Sequence, residues 1–306
     1  MTDLIIGIDV GGTTIKAALF DSEGRGYDSS TRPTPQHLGP DAVVTTIIEI
    51  VRELRTRVPE AAQLRAVGLV VPGVVDAQHG IAVYATNLGW RDLPLRRIVA
   101  EAVELPVIVD HDVRAAGLAE LELGAGRGVQ EMIFVALGTG IAAAVISKGR
   151  VLSGASNRAG ELGHLPVFPD GEWCACGQRG CTETYASGAS LARRYSIASG
   201  TNDATASEVI SRAAAGDPLA QEVFRDAISA LGRALVNYVL IMDPEVIVLG
   251  GGLSGAEAAL LDPLAREVQG GLAWRSAPTI ATGRFAADAG RRGAALLAWH
   301  ALNAAP

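Results

Sequence analysis

Two runs of this chain are built on one plan. Ile5-Ile-Gly-Ile-Asp-Val-Gly-Gly-Thr13 and Ile133-Phe-Val-Ala-Leu-Gly-Thr-Gly140 each read as an apolar strand followed by a glycine–threonine turn. Thr14 to Phe20 and Ile141 to Ser147 then supply a second strand each. The two starts lie too far apart for a solenoid, whose repeats span about 20–50 residues. They predict an α/β protein made of a duplicated domain whose halves share a cleft, rather than two unrelated α/β domains. A length of 306 residues suits such a pair. The composition, 49% hydrophobic, is ample for two cores.

The rest of the pattern fills in around these starts. Asp21-Ser-Glu-Gly24 reads as a turn before a third strand. Asp41 to Arg57, Arg97 to Val103 and Ala115 to Leu123 have helical periodicity, and Ala66 to Val71 and Val107 to Asp110 are strand-like. After the second start comes a long insert of Ala-rich helices. Val246 to Leu249 is a strand ending in Gly250-Gly251-Gly252. Pro278 to Thr282 and Arg291 to Leu302 are the last strand and helix.

A net charge of −7 argues against nucleic acid as a partner, because phosphate backbones require a basic surface. No apolar stretch reaches the roughly 18 residues of a membrane span. Met1-Thr2-Asp3 leads into the first strand with no basic-plus-apolar leader. The expected setting is the cytoplasm, with no membrane and no nucleic acid as partner.

All three cysteines fall within Cys174-Ala-Cys176-Gly-Gln-Arg-Gly-Cys181, and His164 precedes them. A Cys3His set is a full tetrahedral complement for structural Zn2+, with no position left for a reacting water. Clustered thiols of this kind also imply a reducing compartment. Ordering this loop would fix Glu161 and Glu183, which flank it.

The turns carry the second kind of chemistry. Asp9-Val-Gly11-Gly12-Thr13-Thr14 brings glycine N–H groups and threonine hydroxyls to one concavity suited to phosphate, with Asp9 placed to hold Mg2+. Gly138-Thr139-Gly140 is its counterpart, and the pair would grip two ends of a polyphosphate chain. Gly250-Gly251-Gly252 offers a flat surface for a base and ribose. Val109-Asp110-His111-Asp112 places two carboxylates and an imidazole at a strand end, where α/β sheets bind ligands. Asp112 there is suited to accept a hydroxyl proton during phosphoryl transfer, and also to cap the helix that follows. Asn87-Leu-Gly-Trp90 reads as a loop whose amide can pair sugar hydroxyls. Pro72-Gly73 reads as a turn.

Asp9-Val-Gly-Gly-Thr13, Val71-Pro-Gly73, Asn87-Leu-Gly-Trp90, His111-Asp112, Glu161-Leu-Gly-His164 and Cys174-x-Cys-Gly-x-x-Gly-Cys-x-Glu183 together resemble the ROK sugar kinases over essentially the whole chain. The resemblance implies an actin-like ATPase fold, ribonuclease H-like and duplicated, with an interdomain cleft. The smaller, sugar and phosphate domain would comprise residues 1–116 plus a C-terminal helix at about 290–306. The larger, residues 117–289, would hold the zinc loop and nucleotide site. The resemblance further implies Asp112 as general base toward a sugar 6-hydroxyl, with sugar contacts from Gly73, Asn87, His111, Glu161, His164 and Glu183. His164 would use one ring nitrogen on zinc and offer the other to the sugar. ATP would lie along Gly11–Thr13 and Gly138–Gly140, with adenosine near Gly250–Gly252. A homodimer or homotetramer is implied too.

Five positions depart from the family pattern. His111 stands where asparagine is usual, Arg114 where a small or amide residue is common, and Ala142, Ala143 and Ala144 where glycines often follow the second turn. The expected activity is ATP-dependent phosphorylation of a hexose, with glucose leading. N-acetylglucosamine, N-acetylmannosamine, mannose or fructose are the alternative substrates, and polyphosphate the alternative donor. A sugar-sensing regulator is the rival class, but regulators of the family carry an N-terminal DNA-binding segment. Cys176→Ser is expected to lower sugar affinity and leave the ATP turns intact.

Overall fold

The computed structural model describes residues 2–253 and 257–304. Positions 1, 305 and 306, which the sequence division assigned to the smaller domain, lie outside the described residues. The chain forms two compact units. Among the described residues, the first comprises 2–119, 153–158 and 288–304, and the second 120–152, 159–253 and 257–287.

The first unit begins with β1 (Thr2–Val10), β2 (Thr14–Phe20) and β3 (Gly26–Pro33), followed by α1 (Pro40–Thr56) and β4 (Ala62–Val71). Next come β5 (Val74–Asp76), β6 (Ile81–Ala85), β7 (Trp90–Leu93), α2 (Leu95–Val103), β8 (Val107–His111) and the start of α3 (Asp112–Leu123). The main sheet has the order β3-β2-β1-β4-β8. Its β1–β2–β3 side is antiparallel and its β1–β4–β8 side parallel.

A central strand buried on both faces must be apolar at nearly every position. Leu4, Ile5, Ile6, Ile8 and Val10 of β1 are fully buried. One face packs on α1 and α2 through Val43, Ile47, Ile50, Leu54, Leu95 and Val99. The other packs on the C-terminal helix through Ala295 and Ala298. That helix sits directly on the sheet backbone, because a Cβ on Gly68 would overlap the Ala294 carbonyl oxygen.

The second unit continues from α3 with β9 (Met132–Leu137), β10 (Ile141–Ser147) and β11 (Arg150–Val151). Its insert holds α4 (Glu183–Ala186), α5 (Gly188–Ser199), α6 (Ala206–Ala214) and α7 (Pro218–Met242). Then follow β12 (Val246–Gly250), α8 (Glu257–Gly270) and β13 (Thr279–Thr282), before α9 (Ala289–Ala304) rejoins the first unit. Its sheet has the order β11-β10-β9-β12-β13. This repeats the first sheet strand for strand, including which pairs are parallel. The matched starts in the sequence are therefore the matched central hairpins, β1–β2 and β9–β10.

Local signals explain the insert's long helix. Asp217 caps α7, accepting the N–H groups of Leu219 and Ala220, and Pro218 takes the first helical position, where its missing donor costs nothing. A small antiparallel sheet, β5-β6-β7, has no counterpart in the sequence reading. It forms on the segment after Gly73, whose φ of +90 is open mainly to glycine.

Candidate active site

In the first unit, the C-terminal ends of β1, β4 and β8 lie side by side. Asp9 pairs in register with Val70, and Val71 with His111. The next residues along these strands are the Gly11–Thr13 turn, Pro72-Gly73 and Asp112. The turn is closed by the Gly11 N–H donating to the Thr14 carbonyl at 2.9 Å. The Thr34 hydroxyl donates to the Gly11 carbonyl at 2.7 Å.

Asn87 joins them. It lies on a 3-10 turn, Thr86–Leu88, and a Cβ on Gly12 would stand 3.7 Å from the Asn87 amide nitrogen. The Asn87–Trp90 segment is therefore not all loop. Trp90 is buried and opens β7, and its Nε1 donates to the Pro40 carbonyl at 3.2 Å. Gly73 packs so tightly on the end of β6 that a Cβ would overlap the Tyr84 carbonyl oxygen. The fold thus brings together Asp9, Gly11, Gly12, Gly73, Asn87, His111 and Asp112.

Two carboxyls in this group are perturbed. Burial pushes Asp112 up to about 6, against the pull of the Val113 N–H and the Arg114 guanidinium. Burial also pushes Asp9 up to about 7, helped by the charge of Asp112 and opposed by Lys16 and Arg291. Asp9 Oδ2 lies under the first turn of α9, where a Cβ on Gly290 would overlap it. Asp112 begins α3 rather than capping it from outside. Its Oδ1 accepts the adjacent Val113 N–H at 2.7 Å. Its side chain stays 28% exposed, so the carboxylate is reachable, and His111 Nδ1 stands 3.4 Å away. A reachable carboxylate with a raised proton affinity is what general-base work at neutral pH requires.

The second unit holds the remaining residues. Gly138 N–H donates to the Gly140 carbonyl at 3.0 Å, closing the turn between β9 and β10. The glycine run after β12 presses on the same place. Gly251, at φ +87, would overlap the Leu137 carbonyl oxygen if it carried a Cβ, and Leu253 N–H donates to that oxygen at 3.0 Å. Gly252 meets nothing within 4 Å among the described residues. Gly138–Gly140 and Gly250–Gly252 are thereby brought together. Glu183, at the start of α4, turns toward this group: its Oε2 accepts the Ile141 N–H at 2.7 Å. Glu161 is exposed and precedes the 3-10 turn Leu162–His164.

His164, Cys174, Cys176 and Cys181 converge, with their ligand atoms within 4.8 Å of one another. Cys176 Sγ and Cys181 Sγ are 3.7 Å apart, as are Cys174 Sγ and His164 Nδ1. A tetrahedron with metal–sulfur bonds of about 2.3 Å has edges of about 3.8 Å, so the set fits Zn2+. Nδ1 is the nitrogen turned toward the thiols, leaving Nε2 for another partner. Burial pushes the thiols of Cys174 and Cys181 up, the latter to about 12, so a metal must displace protons to bind them. A cavity of about 660 Å³ between α6, α7 and α8 takes its walls from none of the residues named above.

Sequence reasoning noted Arg114 only as a departure and missed its contacts. Its side chain is buried and pairs with Asp110 at 2.5 Å. An isolated arginine in an otherwise apolar helix face was the available signal.

Comparison with known proteins gives a consistent set of likenesses. The profile described as the ROK family matches residues 5–301. A glucokinase of Halalkalibacterium halodurans is 37% identical over 274 residues, which is 85% of this chain and 83% of that protein. A solved ROK hexokinase from Thermus thermophilus superposes with a TM-score of 0.84 at 35% identity, covering 99% of this chain and 100% of that one. A ROK family glucokinase from Streptomyces griseus, solved with glucose and AMPPNP, gives a TM-score of 0.83 at 32% identity, over 96% of this chain and 98% of that one.

Proposed function

Because the chain is a member of the ROK family, we propose that it is a hexokinase that transfers the γ-phosphoryl group of ATP to the 6-hydroxyl of glucose. The fold is the actin-like ATPase type, with one strand order used twice. The observation that carries the reading is Asp112. It is a reachable carboxylate with raised proton affinity, set at the strand ends beside Asn87, Gly73 and a phosphate-type turn.

The chemistry follows from those residues. Asp112 accepts the 6-hydroxyl proton as that oxygen bonds to the γ-phosphorus. The bond from the γ-phosphorus to its bridging oxygen breaks, and the electron pair leaves with ADP. With a pKa of about 6, Asp112 is mostly ionised at neutral pH yet a stronger base than an ordinary aspartate. Gly73, Asn87, His111, Glu161, His164 and Glu183 would orient the sugar. Gly11, Gly12, Thr13 and Thr14, with Gly138, Thr139 and Gly140, would offer N–H and hydroxyl donors to phosphate, and Gly250, Gly251 and Gly252 would seat the adenosine. Asp9, together with the phosphates, would hold Mg2+, which would supply charge neutralisation. His164, Cys174, Cys176 and Cys181 would hold Zn2+ as a closed structural site.

A cytoplasmic homodimer or homotetramer is part of the proposal, carried by the family resemblance. No helix among the described residues is long and apolar enough to cross a membrane.

The test is ADP release from Mg-ATP over a panel of glucose, mannose, fructose, N-acetylglucosamine and N-acetylmannosamine. The reading predicts strong turnover with glucose and a 6-phosphate product. Preference for an N-acetylhexosamine would move the substrate assignment, and no turnover with any sugar would reject the kinase reading.

A further inference from the structure

Arg114 is the third residue of α3 and only 4% exposed. Its guanidinium reaches three other segments of the first unit. Nε and Nη2 donate to Asp110 Oδ1 at 2.9 and 2.5 Å, at the end of β8. Nη1 donates to the Asn157 carbonyl at 3.1 Å, and Nη2 also meets the Val75 carbonyl at 3.4 Å. Asp110 Oδ1 in turn accepts the His111 N–H at 2.6 Å.

Burying a guanidinium costs several kcal/mol unless its donors are met, so an arginine this enclosed holds what it touches. Its planar fork serves three directions at once, which a lysine ammonium on a flexible stem does not reproduce. One segment so held is Ser153–Arg158, where Asn157 sits at φ +59, an uncommon conformation for a residue other than glycine. Another is β5, which leaves the Gly73 turn.

We propose that Arg114 is a positioning residue for phosphoryl transfer: it fixes the start of α3, and with it the Asp112 carboxylate, against β5 and the Ser153–Arg158 segment. The inference rests on Asp112 acting as the base. Geometry is one part of the effect and charge the other. The Arg114 guanidinium pulls against the burial that raises Asp112. The other ionisable groups around Asp112 are His111 of β8, at 3.4 Å, and Asp9 of β1, itself near Lys16 of β2 and Arg291 of α9. Removing Arg114 leaves Asp112 without that favourable charge.

Arg114→Met and Arg114→Lys separate the two parts. Arg158 is exposed, so trypsin cleavage after it reports release of the held segment. In Arg114→Met, native-state cleavage at Arg158 is expected to speed up about tenfold, a local opening, with kcat falling and glucose KM moving less. Its acidic limb of kcat/KM should move up by roughly half a pH unit or more. In Arg114→Lys, the charge remains and the fork is lost, so cleavage should rise while the limb stays near the parent's. Parental cleavage and a parental pH profile in Arg114→Met would overturn the proposal, as would cleavage accelerated equally at every site. An Asp112→Asn control keeps the two claims apart. Undiminished turnover there defeats the base assignment, and the cleavage pattern alone then judges the clamp.

Discussion

Glu183 Oε2 accepts the Ile141 N–H at 2.7 Å, which bonds the helix beginning just after Cys181 to the strand leaving the second glycine–threonine turn. Two further bonds reinforce the link. Gly188 N–H donates to the Gly138 carbonyl at 2.8 Å, and the Ser190 hydroxyl donates to the Glu183 carbonyl at 2.7 Å. On the other arm of the Cys3His loop, Gly163 is pressed onto the Ile141 carbonyl. Read from sequence alone, this loop serves the sugar side only. The bonds around Ile141 and Gly138 give it a hold on the Gly138–Gly140 turn, the proposed nucleotide turn, as well.

Metal removal is therefore expected to weaken both ligands. Chelation or Cys176→Ser should lower affinity for a non-hydrolysable ATP analogue and for glucose, each about tenfold or more. Calorimetric titration of the two ligands separately decides this. Nucleotide affinity untouched by metal removal would contradict the link through Glu183.

The rate should follow the ionisation of the strand-end carboxyls. Asp112 is raised to about 6 by burial, and Asp9 to about 7 by burial and by the charge of Asp112. Below the lower of these values kcat/KM should fall about tenfold per pH unit as the base is protonated. A kcat/KM flat from pH 5 to 8, at saturating Mg2+, would count against Asp112 as base.

The same shifts bear on stability, with the opposite sign to an ion-paired aspartate. Both carboxyls hold protons in the folded chain at pH values where the unfolded chain, near 3.9, has lost them. The stability this gives is whole below about pH 4 and is lost as pH rises through 6 and 7. In magnesium-free buffer, Asp112→Asn should gain on the order of 2 kcal/mol over the parent at pH 8 and almost nothing near pH 4. Urea denaturation at the two pH values measures the difference. An equal gain at both would show that the carboxyl is not perturbed by burial.

Two glycines should behave in opposite ways. Gly68→Ala drives a methyl into the Ala294 carbonyl and should cost roughly 3 kcal/mol or more, with expression falling. Gly252→Ala meets nothing within 4 Å among the described residues and should leave stability within about 0.5 kcal/mol. If adenosine lies there, its ATP KM rises while its melting temperature holds. A Gly252→Ala variant with parental ATP KM would move the nucleotide elsewhere.

Much of this architecture is visible in one dimension because its signals are local. The central hairpins announce themselves as unbroken apolar runs interrupted by glycine and threonine, and α7 by Asp217-Pro218. The cysteine cluster is legible because its ligands are close in sequence. What stayed hidden depends on distant partners. Nothing within Ser153-Gly-Ala-Ser-Asn-Arg158 names its partner, and only the fold shows that Arg114 holds it. Glu183 reads as a carboxylate fixed by the metal loop for a sugar, and the backbone donor it meets comes from a strand far back in the chain. The β5-β6-β7 sheet is made of strands too short to show a period.

The central claim is that Asp112 takes the hydroxyl proton, and turnover of Asp112→Asn with glucose bound tests it most directly. Glucose affinity is set first, by calorimetry, and ADP release is then measured at saturating glucose and Mg-ATP. The account predicts near-parental glucose binding with kcat lower by about a hundredfold to ten-thousandfold. Near-parental turnover with glucose binding intact would contradict it.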